Sequence, residues 1–379
     1  MEWIASAAFG LEGLVKRDLA RIESISEISP LSTGGVQFRG DWAAGFRANL
    51  WLRTADRVLL VMKRFAARSF EELFQGVSAI PWEERIPKGC SFPVRAQCAR
   101  STLMSPSDCQ SIVKKAVAER LKKAYGGSWL DEDGAEHMID VSIREDEATI
   151  SLDTSGVALN RRGYRTWNGE APLRETLAAS IVLMSPWHPS MPLHDPCCGT
   201  GTILIEAAFI AADRAPGLMR SFAMENWPVV PKGGIADARE EAKERYEKGK
   251  ARPIAIFGSD IDPNAIDLAR KHLKQAALTD AVVLETRDLR DVVQGGGGVF
   301  LANPPYGDRM GDKRSAQAVA KQLGLLFDRC PDWSMGVITA DRLFEKSFGR
   351  RADRRRRLYN GRLECEFMTF LGAQKGGYR

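Results

Sequence analysis

The chain has 379 residues, of which 44% are hydrophobic and 27% charged, and its formal net charge is +5. That length exceeds a single core of ~150 residues and implies two or three domains. No apolar run approaches the ~20 residues that span a bilayer and no basic segment followed by an apolar stretch opens the chain, so a cytoplasmic protein with neither feature is expected.

Residues 3–9, 10–22 and 36–40 suggest a small β-α-β unit, followed by a strand-like segment at 57–65 and a polar helix near 70–80. Residues 107–125 read as a helix with Ile112, Ala116, Val117, Leu121 and Ala124 on one side and Lys114, Lys115, Lys122 and Lys123 outside that stripe. From spacing alone these lysines are a solvated face. Ile139, Val141 and Ile143, then Ala148, Ile150 and Leu152, alternate around a polar turn at Glu145 and Asp146, which is the pattern of a half-buried hairpin.

Arg161, Arg162 and Arg165 form one basic cluster, and Arg350, Arg351, Arg354, Arg355, Arg356 and Arg357 form another near the C-terminus. Such runs are usually solvated faces, and they gain meaning only beside a site for an anionic substrate. The seven cysteines, Cys90, Cys98, Cys109, Cys197, Cys198, Cys330 and Cys365, are odd in number and show no CxxC spacing. Reduced, mostly buried thiols are expected, with no disulfide framework and no metal site. Among four histidines, His194 reads as a packing residue.

Chemistry-bearing motifs concentrate in the second half of the chain. Residues 191–194 form a short strand-like segment that runs into Asp195-Pro196-Cys197-Cys198-Gly199-Thr200-Gly201, and residues 202–212 are apolar and helix-forming. A strand, a glycine turn and a helix N-terminus cradle a nucleotide or an amino-acid carboxylate. A second strand, 253–258, leads to Asp260-Ile261-Asp262, and a third, 281–285, runs into Arg287-Asp288-Leu289. A carboxylate ending the strand after a glycine turn suits ribose hydroxyls, although each Asp singly is as readily a cap or turn residue. Residues 299–302 are a buried-strand run ending at Asn303-Pro304-Pro305-Tyr306. The prolines stiffen that turn, so the Asn303 amide oxygen and the Pro304 carbonyl can converge on the two N–H groups of an exocyclic amine.

These motifs, with Asn160-Arg161-Arg162-Gly163-Tyr164-Arg165, Leu173-Arg174-Glu175-Thr176-Leu177 and Leu358-Tyr359-Asn360-Gly361, resemble the THUMP-domain RNA guanine-N2 methyltransferases, and within them the RlmL type. Ala8-Phe9-Gly10-Leu11-Glu12, Gly34-Gly35-Val36-Gln37-Phe38 and Asn49-Leu50-Trp51-Leu52-Arg53-Thr54-Ala55 are similar to that family's opening, so the resemblance covers nearly the whole chain. It implies an α/β fold with a Rossmann-like class I methyltransferase sheet at 160–379, preceded by an α+β RNA-binding region with a ferredoxin-like part at 1–54 and a THUMP part at 55–159. It implies S-adenosyl-L-methionine as cofactor, held by Glu175, Asp195, Pro196, Cys197, Gly199, Thr200, Gly201, Asp260, Ile261, Asp288 and Asn303. Asn303, Pro304, Pro305 and Tyr306 would form the catalytic turn, and Arg161, Arg162, Arg165, Lys114, Lys115, Arg355, Arg356 and Arg357 would meet RNA. Cys197 departs from the bulky apolar residue that many relatives carry there. The chain ends at Arg379, without the second methyltransferase domain of some relatives, so one activity is expected, on a monomer.

The implied reaction is methyl transfer to guanine N2, most readily in 23S rRNA, with Tyr306 as a stacking face for an unpaired or flipped base. A tRNA substrate is an alternative of the same class. Because the Asn303 turn suits any exocyclic amine, a DNA adenine-N6 methyltransferase is a second reading, and a non-catalytic RNA-binding or assembly factor is a third.

Overall fold

The computed structural model describes residues 1–32, 34–127, 132–165, 173–306, 312–361 and 363–373. They form two compact units, the first comprising Met1–Ala7, Val15–Leu159 and Arg220–Glu241, the second Ala8–Leu14, Asn160–Met219 and Ala242–Arg379.

The first unit is built on β1 (Glu2–Ser6), β2 (Ser26–Pro30), β3 (Val36–Arg39), β4 (Arg57–Ala66), β5 (Val94–Ala99), β6 (Ile139–Arg144) and β7 (Glu147–Asp153). They lie in the order β2-β3-β1-β4-β7-β6-β5, antiparallel except for the parallel β5–β6 pair. The segments 1–54 and 55–159, expected as two separate parts, share this sheet. The ten-residue strand β4 joins them, pairing with β1 from Arg57 to Leu60 and with β7 from Leu59 to Ala66. The β6–β7 hairpin turns at Glu145 and Asp146, with φ of 52° and 62°, the backbone of a type I′ turn.

The helix Pro106–Tyr125 starts one residue before the expected 107 and is capped at both ends, by a Ser105 side chain accepting from the Asp108 amide with proline in the first turn, and by Gly126 at φ 65°. Its buried stripe is Cys109, Val113, Ala116, Val117 and Leu121. Ile112 is only half-buried and Ala124 is exposed, so the stripe is rotated from the expected one.

Residues 220–241 follow the glycine turn in sequence but pack in the first unit. Trp227 is fully buried there, stacks on His137 at 4.6 Å and donates its indole N–H to the Glu136 carbonyl at 2.9 Å. Phe222 meets Phe46 edge-on at 5.6 Å. Nothing local in the sequence announces this excursion.

The second unit contains β8 (Leu193–Asp195), β9 (Ile256–Asp260), β10 (Val283–Thr286), β11 (Gly298–Ala302), β12 (Trp333–Thr339), β13 (Arg354–Asn360) and β14 (Leu363–Phe370). Their order is β10-β9-β8-β11-β12-β14-β13. The strands from β10 to β12 are parallel, β14 is antiparallel to β12, and β13 is antiparallel to β14. This is the expected Rossmann-like α/β sheet. Strand order reverses between β8 and β11, so the crevice at their carboxyl ends is the place where such sheets bind ligands. Every residue of β11 is buried, as its continuous apolar run requires. His194 is buried too, with one ring nitrogen against the Ser259 hydroxyl at 3.0 Å and the other meeting the Gln294 amide at 2.9 Å. Burial pulls its pKa down to about 4, so it is a neutral packing residue. No described helix is long and apolar enough to cross a membrane.

Candidate active site

The turn after β8 is held from several sides. Gly199 and Gly201 stand at φ +49° and +80°, backbone that L side chains rarely adopt. The Cys198 amide donates to the Ser259 carbonyl at 3.0 Å, and the Gly199 amide to the Asp260 carboxylate at 2.8 Å. The other Asp260 oxygen accepts from the Asp262 amide at 3.0 Å. On the far side, Nδ1 of the buried His272 lies 3.1 Å from the Thr200 carbonyl, a contact that requires the proton on that nitrogen. The helix Thr202–Ala211 then begins at Gly201 with no side-chain cap, which leaves its first amides open to an anion.

Asp195 ends β8 and is 2% exposed, with Oδ1 accepting from the Cys197 amide at 3.1 Å. Burial pushes its carboxyl well above the usual range, and the nearby Asp260 adds to the shift. Burial likewise pushes the Cys198 thiol up, which removes it as a thiolate nucleophile.

A cleft of about 490 Å³ opens over this turn. It gathers Asp195, Cys197, Gly199, Thr200 and Asn303 from the expected set, and adds Leu173, Asp262, Asn264 and Leu268. Asp262 caps the helix Pro263–Gln275, accepting from the Asn264 amide at 2.9 Å, and still lines the cleft; the cap reading and the site reading both hold. Asp260 is not part of the lining. Its carboxylate fastens the turn, although each oxygen keeps a second lone pair. Pro196 and Gly201 shape the same turn without lining the cleft, and Ile261, 68% exposed, stands beside it in sequence. Asp288 is tied up by Arg290, which holds both carboxylate oxygens at 3.1 and 2.6 Å and lowers its pKa to about 2.

Asn303 follows the last residue of β11, with Pro304 buried and Pro305 exposed behind it. The Tyr306 hydroxyl donates to the Asn303 side-chain oxygen, so this tyrosine orients the asparagine rather than only offering a ring face.

The basic residues divide differently from expectation. Arg162 is 2% exposed and pairs with the fully buried Glu206 at 3.4 Å, where the Tyr164 hydroxyl also donates at 3.1 Å. Arg165 pairs with the buried Glu175 at 3.4 Å and donates to the Leu173 carbonyl at 3.2 Å and to the Thr202 hydroxyl. Neither arginine faces solvent, because each compensates a buried carboxylate. By the same token Glu175 is a structural partner at 4% exposure and not part of the lining. Lys114 is committed as well, to Glu132 at 2.7 Å, the Phe92 carbonyl at 3.3 Å and the Phe92 ring at 3.7 Å. Arg161 is exposed, and so is Lys115, which lies 3.9 Å from Glu119. Arg355, Arg356 and Arg357 are exposed on the edge strand β13; Arg355 pairs with Glu345, and Arg357 lies 3.7 Å from Glu364. The sequence reading missed His272 and Asn264; a Pro-Asn after the Asp262 cap marks the latter, and no local pattern marks the former.

Comparison with known proteins agrees with this architecture. Residues 2–59 match the RlmL ferredoxin-like domain, 67–153 the THUMP domain and 162–369 the RMKL-like methyltransferase domain. The Bacillus subtilis protein named "Putative RNA methyltransferase YpsC" is 39% identical over 370 residues, 97% of this chain and 95% of the relative. A Listeria monocytogenes structure described as a "predicted N6-adenine-specific DNA methylase" is 41% identical with a TM-score of 0.91, covering 98% of this chain and 96% of that one. SMU.472, solved in complex with SAH, is 38% identical with a TM-score of 0.92 over 99% of both chains. With a methyltransferase match spanning 162–369 and likeness along its full length, the chain belongs to the RMKL-like methyltransferase family, with ferredoxin-like and THUMP domains ahead of the catalytic one.

Proposed function

We propose that this protein methylates the exocyclic N2 of a guanine in RNA, with 23S rRNA as the substrate, using S-adenosyl-L-methionine. The observation that carries the reading is that Asn303, at the end of β11, lines the same cleft as the glycine turn after β8. The open amides at the start of the helix Thr202–Ala211 suit the cofactor carboxylate, Asp260 and Asp262 suit ribose hydroxyls, and Ile261 and Leu268 suit the adenine. SMU.472, which shares this fold along its length, binds SAH. Residues 1–54 and 55–159 are read as the RNA-holding region, and 160–379 as the catalytic part.

When bound, the cofactor supplies an electrophilic methyl group. The protein positions the amine that receives it. The Asn303 oxygen and the Pro304 carbonyl accept the two N–H groups, drawing the nitrogen lone pair out of conjugation. The Tyr306 hydroxyl holds Asn303 in place. The acceptors would present the nitrogen lone pair to the methyl group that the cofactor would supply, and the nitrogen's extra proton would pass to water. Placement and aligned acceptors carry most of the rate, with no strong base.

A DNA adenine-N6 activity shares the amine chemistry and is the description borne by the Listeria relative. The THUMP match at 67–153 favours RNA. A tRNA guanine is the alternative substrate, and a non-catalytic assembly role is disfavoured by the intact turn, Asp260 and Asn303. Mass-spectrometric nucleoside mapping of rRNA, tRNA and DNA from cells lacking the protein tests the assignment: loss of one N2-methylguanine in 23S rRNA is expected. Loss of N6-methyladenine from DNA, or of a tRNA nucleoside only, overturns it.

A further inference from the structure

A groove of about 610 Å³ in the second unit runs between the helix Asp312–Arg329 and the short helix Phe344–Phe348. Arg314, Gln317, Lys321, Leu325 and Asp328 line it at intervals of three, four, four and three residues, one continuous face of the longer helix. Lys346 stands across from them. The closeness of the helices depends on Gly324, where a Cβ would meet the Phe348 carbonyl oxygen at 2.0 Å.

Arg314, Lys321 and Lys346 are exposed, and among the described residues none of them makes an ion pair. Asp328 is the acidic member of the described lining. The contrast is with the cleft on the sheet of the first unit, where Arg57 pairs with Asp153, Arg64 with Glu2, and Arg95 with Asp140 at 2.6 Å. Those arginines neutralise carboxylates; these face water.

Topology places one end of the groove toward the site. The longer helix connects β11 to the parallel β12, so it leaves from the sheet edge at which Asn303 stands. Helix Phe344–Phe348 follows β12 but lies back along the sheet, where Phe348 stacks on Phe370 at 4.1 Å, itself paired with Met335 near the start of β12. Arg314 is therefore at the site's end of the groove, and Lys321 lies roughly 10 Å further along the helix axis.

We propose that this groove holds the sugar-phosphate backbone of the RNA flanking the target base, with Arg314, Lys321 and Lys346 on phosphates. Cations in line, with half-buried Gln317 between Arg314 and Lys321 and exposed Leu325 one turn beyond, match a chain of repeated phosphates carrying apolar base faces and sugar hydroxyls. The inference rests on the RNA reading above and deepens it.

The test uses the full chain, a 23S rRNA transcript and the triple variant Arg314→Gln, Lys321→Gln, Lys346→Gln, with Leu325→Glu as an independent variant that puts a negative charge into the groove. RNA affinity is measured at several salt concentrations, cofactor affinity by calorimetry and folding by thermal melting. The triple variant should lose ~10-fold or more in RNA affinity, and its slope of log affinity against log salt should flatten by roughly two units, about 0.7 per lost single-strand phosphate contact. Leu325→Glu should also weaken binding, and both variants should keep their melting temperature and cofactor affinity. Wild-type affinity and slope in the triple variant, with rRNA still methylated, sink the groove alone. Polyglutamate competing as well as RNA also overturns it in favour of an acidic protein partner. Wild-type protein that neither binds nor methylates RNA sinks the RNA reading, and the groove with it.

Discussion

The Tyr306 hydroxyl donates to the side-chain oxygen of Asn303, three residues back across a turn containing Pro304 and Pro305. This contact leaves one lone pair of the Asn303 oxygen for an incoming amine and fixes where that lone pair points. Asn303→Ala should therefore lower the methylation rate by ~100-fold or more with little change in cofactor or RNA affinity. Tyr306→Phe keeps the ring but loses the orienting bond, worth ~1 kcal/mol, and should cost up to ~10-fold in kcat. Single-turnover kinetics on rRNA separate the two effects, and a fully active Asn303→Ala variant would refute the amine site.

The cofactor turn depends on Asp260 in a second way. Asp260→Ala releases the Gly199 and Asp262 amides as well as any ribose contact, so it should weaken cofactor binding by ~1 to 3 kcal/mol. Gly199→Val places a β-branched residue at φ +49° and should weaken binding too. Calorimetry with S-adenosylhomocysteine is the check, and wild-type affinity in both variants would disprove the site.

Arg162 should matter to folding rather than to RNA. It and Glu206 are both nearly inaccessible to water, so removing one leaves a buried charge uncompensated. Arg162→Ala should lower stability by ~3 to 5 kcal/mol in urea titrations. Unchanged stability with selectively weakened RNA binding would restore it to the RNA surface.

Acid should destabilise both units. His137 in the first and His194 in the second are held neutral by burial, each with its pKa lowered from 6.5 to about 4. Below pH 6.5 the unfolded chain takes up protons that the folded one refuses, so stability falls progressively as pH drops from 6.5 to about 4, by about 1.4 kcal/mol per unit for each histidine. Urea denaturation at pH 7 and pH 5 should show this, and His194→Asn should reduce the difference.

Much of the molecule is legible in the chain because its signals are local. The β6–β7 alternation, the glycine turn and the Asn303 turn each lie within a few residues, where periodicity and backbone chemistry act. Those segments determined the elements, the class of fold and the cleft's central residues. What the tertiary structure alone decided is the fate of the charges and the grouping of the elements. Arg162, Arg165 and Lys114 read as solvent-facing cations, yet their partners Glu206, Glu175 and Glu132 are reached only when the chain folds back on itself; Glu206 lies 44 residues from Arg162. The same holds for β4 joining two regions in one sheet and for Trp227 packing on His137, contacts whose cause is burial shared by distant segments and which no short window of sequence contains.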